Sequence, residues 1–243
     1  MLVVSYHAID GPASRVVVSA QQFEDDLSSL IDTGYSLVSL DRCTDWLESR
    51  VDLPPLTAVV TFDDGYASIA TRALSVLQRL QAPATVFVVG GRLGLDNQWP
   101  GQPAWVPTMP LLDAHMLRDL VASGVTIGSH SWSHPRLRAL DGQSSQDEIV
   151  AAADRLEQLA GVPVRHFAYP YGSFGRREIV SARSRFRTAV TSACRPVDRH
   201  SDPHVLGRLD AHDAHIASRL NLLGSAALMP YLAVRRGLRA LLR

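Results

Sequence analysis

Five residues stand out for the chemistry that their types and spacing allow. Asp63 and Asp64 are adjacent in Thr-Phe-Asp-Asp-Gly-Tyr, residues 61–66, at the end of the apolar run Leu-Thr-Ala-Val-Val. Carboxylates this close repel one another unless a cation offsets them. His130 and His134 stand four residues apart in His-Ser-Trp-Ser-His-Pro. Two imidazoles and a carboxylate form a catalytic type of ligand set, with metal positions left open for water and substrate. Pro135 pushes His134 out of the helical region into an extended or turn conformation, so the pair reads as a chelate in a strand-end loop. A third stretch, Arg-His-Phe-Ala-Tyr, runs into Pro170-Tyr171-Gly172. That tight turn can aim the Tyr171 backbone N–H into the same cavity as an oxyanion donor. Alone, each stretch has a plainer reading, since Asp-Gly is above all a turn signal and spaced histidines usually face solvent. Together, at three strand ends, they form a site.

The elements that must position them are legible as period. Apolar, Val- and Ile-rich runs occur at 2–6, 36–40, 56–62, 84–89, 125–129, 166–169, 187–192 and 204–209. Near-continuous apolarity favours buried parallel strands. Between them, Phe23, Leu27, Leu30 and Ile31, then Ile69, Ala73, Leu74, Leu77 and Leu80, then Ile149, Ala153, Leu156 and Ala160 step by three or four, as one buried helical face does. Alternating strand and helix over 243 residues implies an α/β domain, best met by a (β/α) barrel, with an open doubly wound sheet as the alternative. On such a barrel, residues following the strands build the site at the C-terminal face. Residues 90–110 carry glycines, prolines and Trp99 and Trp105 without a period, and read as a long ordered loop over one barrel end. The two indoles suit stacking on a sugar ring or plugging the barrel mouth.

Composition narrows the partners. Lys plus Arg and Asp plus Glu are both 24, for a formal net charge of zero, so no global field points to nucleic acid. Cys43 and Cys194 lie far apart and read as free buried thiols. The N-terminal stretch MLVVSYHAID has no basic region and too short an apolar core for a signal peptide, which makes a cytoplasmic location the expectation.

The motifs TFDDG, HSxxH and PYG, in this order and with the flanking VVSYH and PATVFV stretches, resemble the polysaccharide deacetylases with a NodB-homology domain, carbohydrate esterase family four. The resemblance covers residues 1–212, with 213–243 as a C-terminal basic amphipathic helical tail. It implies a distorted (β/α) barrel of about seven strands. It also implies metal-dependent removal of N-acetyl groups from an N-acetylglucosamine-containing polysaccharide or oligosaccharide. An O-acetyl esterase and a non-catalytic glycan-binding relative are the alternatives. By the same resemblance Asp63 is the general base, Asp64, His130 and His134 hold a divalent metal, and the Tyr171 amide stabilises the oxyanion. Zn²⁺ is the expected ion, with Co²⁺ or Ni²⁺ as alternatives, and the partner is an acetylated amino-sugar glycan. The FAYPYG stretch resembles the subgroup tied to exopolysaccharide modification.

The sequence departs from the family in two places. Ala168 stands where an arginine often orients the base, leaving Arg165 and Arg208 to supply a cation from elsewhere. Arg208, inside an apolar strand, is expected to be buried with a carboxylate partner. The family's acid histidine lies in Leu-x-His, whereas here Leu209 and His212 are one residue too far apart. His212 is nevertheless the candidate acid, with His204 and His215 nearby. His7, Tyr66, Trp105, Pro170 and Arg208 complete the expected substrate-binding set. From Ile216 onward Arg219, Arg235, Arg236, Arg239 and Arg243 meet no acidic residue, which suits a helix docked on the barrel or a weak contact with an anionic membrane surface.

Overall fold

Most of the apolar runs become strands buried on both faces, as a parallel sheet covered by helices requires, whereas those at 36–40 and 204–209 shorten to the partly buried Ser36–Leu37 and Leu209–Asp210. The computed structural model describes residues 1–219 and 222–241. In chain order its elements begin with β1 (Leu2–Tyr6), β2 (Ala8–Ile9), β3 (Val17–Val18), α1 (Ala20–Asp32), β4 (Ser36–Leu37), α2 (Leu40–Leu47) and β5 (Thr57–Phe62). There follow α3 (Leu74–Arg79), β6 (Ala84–Val88), α4 (Ala114–Ala122), β7 (Thr126–Ser129), α5 (Gly142–Gln146), α6 (Ala152–Ala160) and β8 (His166–Ala168). The chain ends with α7 (Arg176–Arg185), β9 (Thr188–Val190), β10 (Leu209–Asp210), α8 (Ala211–Arg219) and α9 (Leu228–Leu241).

The main sheet runs β10-β1-β5-β6-β7-β8-β9, with β4 beside the first residues of β5, and every pairing in it is parallel. Leu206 forms a parallel bridge with Val190, while Leu209 and Asp210 pair with Val4 and Ser5. The segment from Leu206 to Asp210 therefore joins the two outer edges, and the sheet curls into the expected distorted barrel. Every residue of β1, β5 and β6 is buried.

Local signals set the helices. Ser19 caps α1 by accepting from the Gln22 N–H, and Phe23, Leu27 and Leu30 face the core. The run expected as a strand through residue 40 stops at Leu37, because Ser39 caps α2 in the same way. The segment 90–110 is irregular apart from one short 3-10 turn, and it is tied down by bridges at Asp96–Pro110 and Tyr66–Leu111.

The chain after β10 packs on the barrel. Ala214, Ala217, Leu223, Leu228 and Leu232 are buried in the main core cluster. His215 Nδ1 lies 2.8 Å from Asp26 Oδ1 on α1. No helix among the described residues is long and apolar enough to cross a membrane. Arg219 is exposed, whereas Arg243 and the side chains of Arg235, Arg236 and Arg239 lie outside the described residues, and with them the expected membrane-facing charge.

The α1–α8 contact makes stability depend on pH. Asp26 is 3% exposed. Burial pushes its carboxyl up to about 6, against the opposing pull of His215. A folded-state value above the unfolded one, about 3.9, adds stability below that pH and loses it as pH rises through about 6. Asn in place of Asp26 keeps an acceptor for His215 without the charge. In urea titrations, wild type should lose up to about 3 kcal/mol relative to Asp26→Asn between pH 4 and pH 8. Parallel pH profiles for the two proteins would contradict this account.

Candidate active site

All seven main strands point the same way, so their C-terminal ends deliver side chains to one face. The Asp63 N–H donates to Tyr6 O and the His130 N–H to Val88 O, both at 2.9 Å, so each residue leaves its strand in register with a neighbour. Asp64 then turns at φ +70° and Gly65 at φ +77°. The left-handed φ of Gly65 accounts for glycine after the aspartate pair, since a Cβ there would meet Val88 Cα only at ordinary contact distance, 3.4 Å.

The turn brings Asp64 against the two histidines. Asp64 Oδ1 lies 3.4 Å from His130 Nε2 and 3.3 Å from His134 Nε2, and the two Nε2 atoms are 3.2 Å apart. All three residues are buried. His130 Nδ1 pairs with Ala168 O at 2.8 Å, so that nitrogen carries the proton and Nε2 is free as a ligand. His134 has φ +61°, a turn rather than an extended conformation, and its N–H donates to Ser131 Oγ at 3.0 Å. Strained backbone at Asp64, Ser131, His134 and Tyr171 is concentrated at this one place. Tetrahedral ligands about 2.0–2.1 Å from a Zn²⁺ stand about 3.3–3.4 Å apart, so the observed triangle fits such an ion without rearrangement. Burial pushes the Asp64 carboxyl up, but His134 and His130 outweigh it and hold it well below the usual range. Burial also keeps His134 below its usual value, whereas at His130 burial is outweighed by the Asp64 hydrogen bond and the Asp63 charge, which raise it.

Asp63 has a different partner. Burial raises its carboxyl, yet the Arg208 guanidinium, with His130 and His7, holds it below the ordinary value. Arg208 NH1 and NH2 donate to Asp63 Oδ1 and Oδ2 at 2.7 and 2.6 Å. The same guanidinium donates to Thr191 O and Thr61 Oγ1. Arg208 and Asp63 are only 3% and 5% exposed. The expected carboxylate partner of Arg208 is thus Asp63, and a cation is delivered to the base although position 168 holds alanine. Arg165 lies near Asp41, 3.9 Å away, with its side chain half-exposed.

The cavity above these groups, about 210 Å³, is lined by His7, Trp99, Trp105, Tyr169, Tyr171 and Arg208 among others. His7 Nε2 is 4.0 Å from Asp63 Oδ2. Trp99, expected only to stack on a sugar or plug the mouth, is 4% exposed; its ring lies 4.2 Å from the His134 ring and its Nε1–H donates to Tyr171 OH at 2.9 Å. Trp105 is 57% exposed at the cavity edge.

Three expected residues lie outside the cavity lining. His212 is exposed and does not line the cavity, because α8 starts at Ala211 and the His212 N–H is tied to Asp210 Oδ1. His204 and His215 are engaged elsewhere, with Phe186 O and Asp26. Tyr66 is buried outside the lining, where its hydroxyl accepts from Asn97 Nδ2 at 3.1 Å and also interacts with Asp64. Pro170 is also buried and outside the lining, while its neighbours Tyr169, Tyr171 and Gly172 are in it. Sequence reasoning missed Asn97, which braces the loop carrying Trp99 through Tyr66 OH, Pro107 O and the Met109 N–H. The sequence offered only an Asn inside an aperiodic Gly- and Pro-rich stretch, and its burial shows in the structure alone.

A parallel barrel, an arginine-held carboxylate and a three-donor cage opening into one cavity define a hydrolase site. The chain belongs to the polysaccharide deacetylase family, whose model matches residues 50–186. That segment contains Asp63, Asp64, His130, His134 and Tyr171, but neither His7 nor Arg208. YxkH of Bacillus subtilis is 22% identical over 208 residues, 85% of this chain and 70% of that protein. A chitooligosaccharide deacetylase of Azorhizobium caulinodans is 30% identical over 128 residues, 52% of this chain and 53% of that protein. The solved structure of IcaB from Ammonifex degensii superposes with a TM-score of 0.75 at 24% identity, covering 90% of this chain and 96% of that one.

Proposed function

We propose that this chain is a divalent-metal-dependent N-deacetylase acting on a glycan that contains N-acetylglucosamine. The carrying observation is the buried triangle of Asp64 Oδ1, His130 Nε2 and His134 Nε2 beside a separately neutralised Asp63. The naming of relatives as chitooligosaccharide deacetylase and poly-beta-1,6-N-acetyl-D-glucosamine N-deacetylase supports the substrate class. A zinc-like ion held by Asp64, His130 and His134 would polarise the acetyl carbonyl and lower the pKa of water to about 7.

The chain's own groups supply the rest. Asp63, kept ionised by Arg208, accepts the proton of the attacking water at a carboxylate oxygen. The Tyr171 turn offers its backbone N–H to the developing oxyanion. His7, in contact with the cavity and 4.0 Å from Asp63, takes the acid role assigned on sequence to His212, and delivers a proton to the departing amine. Trp99 and Tyr171 screen the reacting centre from water, and Trp105 offers a face to a neighbouring sugar ring.

The test is acetate release from N-acetylglucosamine oligomers with and without a chelator. Chelation should stop release, and Zn²⁺ or Co²⁺ should restore it. Release that survives complete metal removal would sink the proposal, as would a metal-loaded protein inert on N-acetylated glycans but active on O-acetylated ones.

A further inference from the structure

The ligand histidines sit on a loop that folds against its backbone preferences. Ser131 and His134 have φ of +67° and +61°, values that a non-glycine residue holds only where its surroundings over-determine them. On one side the loop rests on the end of β6, where the Gly90 N–H donates to Ser131 O at 3.0 Å and the Gly91 N–H to Trp132 O at 2.8 Å. The fit is close, since a Cβ on Gly91 would come within 2.7 Å of the Trp132 ring and carbonyl.

On the other side one carboxylate does the holding. Glu148 Oε2 accepts from the backbone N–H groups of Trp132 at 2.8 Å and Ser133 at 2.9 Å, and Glu148 Oε1 accepts from Ser133 Oγ at 2.6 Å. Glu148 lies in the π-helical turn Asp147–Ala151 that leads into α6, a distortion often found near functional sites. It is half-buried and outside the cavity lining, so it touches neither the three donor atoms nor the space for substrate. An ordinary surface glutamate would not make three such bonds to two consecutive residues.

We infer that Glu148 is a positioning residue for the metal site: its grip on Trp132 and Ser133 holds His130 and His134 so that their Nε2 atoms face one ion together. The inference rests on the metal-dependent reading above. Outer partners of this kind typically change metal affinity about 10- to 100-fold when removed.

Zinc affinity measured by chelator competition on wild type, Glu148→Ala and Glu148→Gln, with the fold of each metal-free protein checked by circular dichroism, tests it. Glu148→Ala should bind Zn²⁺ about 10- to 100-fold more weakly. Glu148→Gln should stay close to wild type, because its amide oxygen can accept both N–H groups while its NH₂ donates to Ser133 Oγ. Wild-type affinity in Glu148→Ala overturns the inference. So does Glu148→Gln as weak as Glu148→Ala, since charge rather than loop geometry would then be at work. If Glu148→Ala does not fold, Ser133→Ala removes only the Oε1 contact: weaker zinc binding in a folded protein supports the inference, and unchanged binding overturns it. Wild type that binds no zinc refutes the metal-dependent reading and this inference together, whereas equal tight binding by all variants refutes this inference alone.

Discussion

Asn in place of Asp63 should cut acetate release by about 10²- to 10⁴-fold while the protein keeps its metal. The adjacent aspartates look interchangeable in sequence, but their surroundings separate them. Asp64 faces two imidazole Nε2 atoms, whereas Asp63 faces a guanidinium. Asparagine preserves the shape and one acceptor for Arg208, so the cage next door is left in place, and what disappears is a site able to take a proton from water. Metal analysis and acetate release on the same sample check the outcome. Wild-type turnover in Asp63→Asn would refute the base assignment, and loss of metal would mean that the two carboxylates share the ion.

Met in place of Arg208 should do two things at once. It leaves the buried Asp63 charge without its partner, which costs about 3–5 kcal/mol where such a pair is broken on one side. It also removes the main opposition to burial, so the Asp63 carboxyl rises and is protonated further up the pH scale. The acid limb of the kcat/KM profile should then move to higher pH, with activity lost first on the acidic side. The Asp63→Asn, Arg208→Met double variant should regain most of the stability without regaining turnover, because neither buried charge is then uncompensated. A single variant with an unmoved acid limb would show that Arg208 does not tune the base.

The strands were legible because parallel strands covered on both faces have no polar side to hide, and β1, β5 and β6 are buried throughout. The cage was legible because the aspartate pair and the spaced histidines fall at the ends of separate apolar runs, which parallel strands bring to one face. Helix α7 was not, because its Arg-rich sequence buries only Glu178 and Ala182 and so shows no apolar stripe. The Asp63–Arg208 pair was foreseen only as an arginine seeking some carboxylate. Its members are 145 positions apart, and only the closing of the sheet makes them neighbours. The acid was hidden for the same reason: His212 was the candidate despite a spacing one residue too long, but topology sets His7 after β1 beside Asp63, while His212 enters α8 and faces solvent.

The segment from Leu206 to Asp210 is both the last joint of the sheet and the bearer of Arg208. Its pairings with β1 and β9 reach across nearly the whole chain in one case and a short hairpin-like distance in the other, so they differ in the loop entropy that must be overcome before they form. The Asp64, His130 and His134 end of the site is carried by the ends of β5 and β7 with β6 between them, whereas the counter-charge of the base comes from this closing segment. Closure of the sheet and neutralisation of the base are thus one structural event: opening this short joint would strip Asp63 of its guanidinium at the same time.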